Sequence, residues 1–335
     1  MTGRPAEAGI ADPIKTMLTG SMFTHVGYAL AVLGVADVLG DKTLHTKQIA
    51  EATEAHPDAL LQLMRTGAGL GLFIEAPPRF FALTDAGQRM RKDVPESRYG
   101  SFIRSVERNG PLLAEIMHTA RTGRPAWEKV HGGGIFNRPD DAYKLQLHDS
   151  PQLKAILAGY DMSEVRTVVD VAGGHGNLIS YLLDLHPHMR GVLFEQPPAI
   201  RLAKETMAAE VARRCSFVEG SFFDSAPEGG DLYLITRALH NWNDDDVVTI
   251  LSTIRAAMPP TARLLVAERL VDGGDPDPMN LFLSMLMTLL NGGRERSEEE
   301  YRDLIEQAGF TVVGVRYPEP QPGVPSESVL EATPK

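Results

Sequence analysis

His240 stands in the stretch Thr236-Arg237-Ala238-Leu239-His240-Asn241-Trp242-Asn243-Asp244, directly after an apolar run at 231–235. Imidazole titrates near neutral pH and can take a proton from a hydroxyl, so a histidine placed here is a general-base candidate; a structural histidine is the other reading. Two carboxylates are available to serve it. Glu268 ends the run Val266-Ala267-Glu268-Arg269, and Glu295 lies in Gly292-Gly293-Arg294-Glu295-Arg296-Ser297. A carboxylate can orient a histidine through its second ring nitrogen and stabilise the imidazolium. Glu295 equally has Arg294, Arg296 or an arginine of another chain as a salt-bridge partner.

A second constellation precedes this one. Val168-Val169-Asp170-Val171-Ala172-Gly173-Gly174-His175-Gly176-Asn177 passes from a β-branched run through an acid and a glycine cluster into a helical pattern, Leu178 to Leu185. Gly173, Gly174 and Gly176 permit positive φ and a close approach of backbone to a ligand. One strand–helix unit later Gly191-Val192-Leu193-Phe194 ends in Glu195, an acid able to accept both hydroxyls of a ribose. The glycine spacing lacks the third member of a dinucleotide fingerprint. A third stretch, Glu219-Gly220-Ser221-Phe222-Phe223-Asp224, pairs a polar side chain with aromatic rings, which suits a purine or, alternatively, fills a core.

The elements that must position these residues alternate. Strands are expected at 167–171, 191–194, 215–218, 231–235, 263–267, 311–317 and 328–332, with helices at 177–186, 198–212, 244–257, 279–290 and 297–308. Such alternation predicts an α/β domain with a mostly parallel sheet covered on both faces, ligands sitting at the strands' carboxyl ends. Asp170, the glycine turn and Glu195 fall at those ends, and Asp244 reads as the cap of the helix it precedes. Before residue 160 the pattern is helical. Ile14 to Leu39 reads as one or two helices with a small, apolar face, either packed against another chain or buried as an ordinary pair. Thr46 reads as the cap of a helix through Ala52, followed by a helix from Ala59 to Leu70 and a hairpin at 72–75 and 80–84. Two helices and a hairpin make a winged helix, used to bind DNA or as a structural and dimerisation module. Helices are also expected at 139–147 and 151–157.

The totals narrow the classes. Across 335 residues, a net charge of −11 and a second wing helix whose only basic residue is Arg65 disfavour nucleic-acid binding. Membrane spans and a signal peptide are not expected, and the single cysteine, Cys215, leaves no intrachain disulfide, which fits a cytoplasmic location. No metal is expected, since no carboxylate–histidine cluster stands out and His186 and His188 flank Pro187 in a surface loop.

Five motifs in order complete the pattern: Val-Asp-Val-Ala-Gly-Gly-His-Gly at 169–176, Leu-Phe-Glu-Gln-Pro-Pro at 193–198, Gly-Ser-Phe-Phe-Asp at 220–224, Leu-His-Asn-Trp-Asn-Asp at 239–244 and Gly-Gly-Arg-Glu-Arg-Ser at 292–297. The chain resembles, over nearly its whole length, the class I S-adenosylmethionine-dependent small-molecule O-methyltransferases of the caffeate and acetylserotonin type, most closely their bacterial relatives that tailor natural products. The resemblance implies a Rossmann-like catalytic domain at 161–335, preceded by a mostly helical winged-helix dimerisation domain at 1–160 that contributes to the acceptor pocket. It implies methyl transfer from S-adenosylmethionine to a phenolic or enolic hydroxyl by a homodimer. It also implies roles. Asp170, Gly173, Gly174, Gly176, Glu195, Gln196, Ser221, Phe222, Thr236 and Trp242 would hold the cofactor. His240 would be the base, with Glu268 and Glu295 as the two acids beside it. Asn241, Met287, Asn291 and His148 would meet the acceptor, His148 being equally a surface residue.

Four departures from the family pattern bear on this. Ala172 replaces a glycine, Glu195 replaces the commoner Asp, Thr236 replaces Lys, and Asn241 replaces the Asp after the histidine. The segment 136–160 is also shorter than usual. Relatives of the same fold that methylate carbon or nitrogen, or that do other chemistry, form the alternative class, and a winged-helix DNA-binding regulator the third.

Overall fold

In the computed structural model, residues 12–137, 150–271, 278–319 and 327–335 are described. The chain divides between Ala114 and Glu115 into two compact units. This division lies ahead of the boundary expected near 160, because the helices Ile116–Thr122 and Ala126–His131 pack against the helix Pro278–Asn291. The helix expected at 139–147, and His148, lie outside the described residues.

In the first unit, the helix Pro13–Val32 starts where the Asp12 carboxylate accepts the Lys15 N–H at 3.0 Å, with proline in the first turn. Gly34, at φ 69°, turns the chain into a second short helix, Val35–Leu39. The long helix buries Gly27, Leu30 and Ala31 and leaves Ile14, Met17, Leu18 and Met22 exposed. His45, rather than Thr46, caps the next helix, Thr46–Ala52. Its ring nitrogen accepts the Lys47 N–H while Gln48 Oε1 accepts the His45 N–H, and the Thr46 hydroxyl donates across to the Arg79 carbonyl. The helix Pro57–Gly69 follows.

Strands β1 (Leu44–His45), β2 (Phe73–Glu75) and β3 (Phe80–Leu83) form a three-stranded antiparallel sheet in the order β1-β3-β2. Leu30, Leu39, Ile49, Met64 and Phe81 close the core. This is the winged-helix arrangement. Arg65, the sole cation of the helix Pro57–Gly69, forks onto Glu75, with Nη2 2.9 Å from Oε1 and Nε 3.1 Å from Oε2. Its guanidinium is thus turned to the hairpin.

The second unit contains strands β4 (Thr167–Val171), β5 (Arg190–Glu195), β6 (Cys215–Glu219), β7 (Leu232–Thr236), β8 (Arg263–Glu268), β9 (Phe310–Arg316) and β10 (Ser328–Pro334). They form one seven-stranded sheet in the order β6-β5-β4-β7-β8-β10-β9. The pairs from β6 through β8 are parallel, and β10 runs antiparallel between β8 and β9. Leu157, Ile179, Leu183 and Ile200 pack one face, and Ile250, Leu251, Ile254, Tyr301 and Ile305 the other. Burial on both sides explains why these strands read as continuous apolar runs. The strand order reverses between β4 and β7, the place where ligands bind in open α/β sheets.

Two local expectations differ. The helix expected at 198–212 is interrupted after Thr206, because Met207 takes an extended backbone and its methyl group lies against Gly176. Asn243, not Asp244, caps the helix Asp244–Ala257 by accepting the Asp246 N–H at 2.9 Å. Asp244 is left to pair with Arg294 and Arg296. Among the described residues no helix is long and apolar enough to cross a membrane.

Candidate active site

His240 lies in a 3-10 turn, Leu239–Asn241, just beyond the carboxyl end of β7, and is buried. The acid at the end of neighbouring β8 holds that turn. Glu268 Oε1 accepts the N–H groups of Ala238 at 2.9 Å, Leu239 at 2.8 Å and His240 at 3.4 Å. Its other oxygen, Oε2, lies 2.8 Å from His240 Nδ1. Burial pushes the Glu268 carboxyl up, but His240, Arg237 and the backbone donors outweigh it and hold the group below the ordinary carboxylate range. An ionised Glu268 only accepts, so Nδ1 carries the proton and Nε2 is the ring atom left to act as a base.

Glu295 reaches the same place, paired with Arg237 rather than with its sequence neighbours. Arg237 Nη1 lies 3.0 and 3.2 Å from the two Glu295 oxygens and 3.5 Å from Glu268 Oε2. Arg294 binds Glu300 and Asp244 instead. Arg296, with 0% of its surface exposed, clamps the histidine turn by donating to the Leu239 and Trp242 carbonyls and to Asp244. His240, Glu268 and Glu295 each bring one possible metal-ligand atom within 4.8 Å of the others, a set the sequence analysis groups as a base and two acids and not as a metal site. The guanidinium of Arg237 supplies the positive charge among these acids.

Beside this turn a cleft of about 800 Å³, counting the solvent in its mouth, opens at the switch point between β4 and β7. Asp170, Gly173, Gly174, Glu195, Gln196, Phe222, Thr236, Asn241 and Trp242 line it, together with Phe136, His175 and Arg237. Gly176 and Ser221 lie outside this lining. Gly176, at φ 78°, starts the helix Asn177–Leu185, and the Ser221 hydroxyl accepts the Phe223 N–H. Trp242 stacks on Phe136 at 5.3 Å and meets Phe222 and Phe223 edge-on, an aromatic wall of which Phe136 carried no sequence signal. Asn291 Nδ2 donates to Asn241 Oδ1 at 2.8 Å, and Met287 is half-buried on the same helix as Asn291.

Ala172 sits at the start of the glycine loop at φ 58°, in the left-handed region. A Cβ there costs roughly 1–2 kcal/mol, partly offset by the freedom an added glycine gives the unfolded chain. Ala172→Gly is therefore expected to raise stability by about 0.5–1 kcal/mol in urea unfolding; a neutral or destabilising result would show that the loop relaxes around the methyl group.

The residues fit a cationic, ribose-bearing cofactor. Both carboxylate oxygens of buried Asp170 fall short of hydrogen-bond geometry with the described residues, the Ile179 N–H only tempering the charge. Glu195 accepts the Gln196 N–H at 2.6 Å and the Gly174 N–H at 3.3 Å at the end of β5. Burial raises both acids, and the charge of Glu195 adds to the rise at Asp170, which moves from 3.8 to about 7. Two adjacent buried acids suit a positively charged ligand. Because the folded pKa of Asp170 is raised, its contribution to the stability of the empty protein is present at low pH and is lost as pH rises from about 4 through about 7. A cationic ligand reverses the preference and expels the proton. Calorimetry of S-adenosylmethionine binding at pH 6, in buffers of different ionisation enthalpy, is expected to show proton release that Asp170→Asn abolishes; equal release by both proteins would assign the proton elsewhere.

Comparison with known proteins gives the family. Residues 113–311 match the O-methyltransferase domain model and residues 16–93 the O-methyltransferase dimerisation domain model. The O-demethylpuromycin-O-methyltransferase of Streptomyces alboniger is 36% identical over 98% of this chain and 90% of its own length. The solved structure of a mitomycin 7-O-methyltransferase is 31% identical, covering 96% of this chain and 97% of that one, with a TM-score of 0.82. An O-methyltransferase of neocarzinostatin biosynthesis, solved with S-adenosyl-L-homocysteine and 1,4-dihydroxy-2-naphthoic acid, is 27% identical, covering 98% of this chain and 100% of that one, with a TM-score of 0.77. This chain belongs to the S-adenosylmethionine-dependent O-methyltransferases of small-molecule biosynthesis, with an O-methyltransferase dimerisation domain ahead of its catalytic domain.

Proposed function

We propose that the chain methylates a phenolic or enolic hydroxyl of a small aromatic metabolite, with His240 as general base. The observation that carries this reading is the His240 Nδ1–Glu268 Oε2 bond of 2.8 Å, in a turn whose neighbours Asn241 and Trp242 line the cleft. The bound cofactor supplies a methyl group made electrophilic by its sulfonium. Asp170 and Glu195 would hold it through its positive charge and its ribose hydroxyls, and the Gly173–Gly174 backbone would lie against it. The aromatic wall of Phe136, Phe222 and Trp242 orients flat rings. His240 Nε2 takes the hydroxyl proton as the new bond forms, and ionised Glu268 stabilises the imidazolium through Nδ1–H. Alignment of the acceptor oxygen supplies much of the remaining acceleration.

The test is incubation of the purified chain with S-adenosylmethionine and a panel of phenols, enols and arylamines, followed by mass spectrometry for the gain of one methyl. Methylation of hydroxyl acceptors is expected; a gain confined to nitrogen or carbon acceptors would overturn the assignment.

The exposed face of the helix Pro13–Val32, with Met17 77% and Leu18 71% exposed inside the matched dimerisation domain, fits a second copy of this chain. Light scattering is expected to give a dimer for the native chain and a monomer for the Met17→Lys, Leu18→Lys variant. A native monomer would remove this part of the reading.

A further inference from the structure

Arg237 is a buried cation, its side chain only 7% exposed, that lies among three carboxylates. Nη1 bridges both oxygens of Glu295 and approaches Glu268 Oε2, the same oxygen that holds His240. Nε is 3.9 Å from Glu327 Oε1, and Glu327 in turn accepts the Ser150 hydroxyl at 2.7 Å. Among the described residues, several elements bring a group to it. β8 brings Glu268, with Arg269 just after it; the stretch after the helix Pro278–Asn291 brings Glu295. Glu327 precedes β10, the helix Glu298–Gln307 brings the buried Tyr301 hydroxyl, and the β7 turn brings His240. The backbone of Arg237 is itself left-handed, at φ 50°, a conformation that surrounding contacts must hold in place.

We propose that Arg237 is a positioning residue for the transfer step: its guanidinium bridges Glu268 and Glu295 and fixes the oxygen of Glu268 that orients His240. The proposal rests on His240 being the base. Three carboxylates (Glu268, Glu295, Glu327) and two guanidiniums (Arg237, Arg269) meet here, the Arg296–Asp244 pair holds the histidine turn beside them, and an imidazolium at His240 adds its charge to this set. Without Arg237 the acids face one another in a buried site with that positive charge gone. Their charge then draws a proton to His240 before any acceptor supplies it. A lysine would return the charge but not the planar fork that spans two carboxylates.

The experiment uses protein labelled with ¹⁵N-histidine, in which the His240 signals are assigned by their loss in His240→Gln. The native chain is expected to show the Nδ1–H tautomer. In Arg237→Met the titration midpoint of His240 is expected to rise by about one pH unit or more, as removal of a neighbouring positive charge requires. With a hydroxyl acceptor from the panel, kcat is expected to fall about 100-fold while the acceptor KM and the S-adenosylmethionine Kd stay within about threefold. Arg237→Lys is expected to restore the midpoint and part of kcat. An unshifted midpoint with native kcat in Arg237→Met overturns the proposal, and so does a loss of cofactor affinity that parallels kcat in both variants. If Arg237→Met does not fold, Arg237→Lys decides: an approximately tenfold lower kcat at a native midpoint supports the proposal, and native kcat overturns it. Undiminished turnover in His240→Ala removes the base reading while leaving the ring titration to be read on its own, so the two fail separately.

Discussion

His240→Ala is expected to lower turnover by about 10²–10⁴-fold, the range a general base contributes, with little change in S-adenosylmethionine affinity. The expectation follows from where the ring sits. His240 is 4% exposed and bonds through Nδ1 to Glu268, while the cofactor cleft beside it is lined by the flanking Ala238, Asn241 and Trp242 rather than by the imidazole. Truncation to alanine leaves the main-chain bonds from Ala238, Leu239 and His240 to Glu268 in place, because they come from N–H groups. The turn should therefore keep its shape and the cleft its lining. Turnover of the best acceptor from the panel and titration calorimetry of the cofactor separate the two effects. Native turnover would sink the assignment of the base, and a parallel loss of cofactor binding would mean that the ring supports the cleft instead.

How far the sequence discloses this arrangement depends on the range of the interactions. The strand Thr167–Val171 was legible to the residue, since burial on both faces demands an uninterrupted apolar run and the glycines after it mark the turn. The placement of Asp170, Glu195, His240 and Glu268 at carboxyl ends of strands followed from the same pattern. Arg237 was not legible: a cation near a histidine has no distinctive spacing, and its partners at 268, 295 and 327 come from three separate connections. Glu295 shows the same limit. Its neighbours Arg294 and Arg296 were the obvious partners, but in the stretch entering the helix Glu298–Gln307 they turn away to Glu300 and to the histidine turn. The cap at His45 was missed because histidine is an uncommon cap, while Thr46 offered the commoner chemistry and used its hydroxyl on Arg79.

Gly293→Ala is expected to lower turnover by about 100-fold although Gly293 touches no reacting group. A Cβ built there falls within 3.0 Å of the His240 carbonyl oxygen, the Asn241 carbonyl carbon and the Trp242 nitrogen. All three are main-chain atoms, so no side chain can swing aside to admit the methyl group. Glu268 grips the turn from its N–H side, and Arg296 holds its Leu239 and Trp242 carbonyls. Two responses remain: the segment after Asn291 backs away, taking Glu295 off Arg237, or the turn moves and His240 with it. Either displaces an active-site group by an appreciable fraction of an ångström, and overpacking of this kind adds a stability cost of about 1–3 kcal/mol. Gly292→Ala is the control. Gly292 needs its glycine for φ 81°, but an added Cβ would meet only the Pro125 ring at 3.6 Å. That variant is expected to lose roughly 1–2 kcal/mol of stability to backbone strain while turnover stays within a few-fold. If both alanine variants lose the same stability and both keep turnover, the close approach of Gly293 does not set the position of His240. If only Gly293→Ala loses turnover, steric contact between the two backbones is what holds the base in register with the cleft.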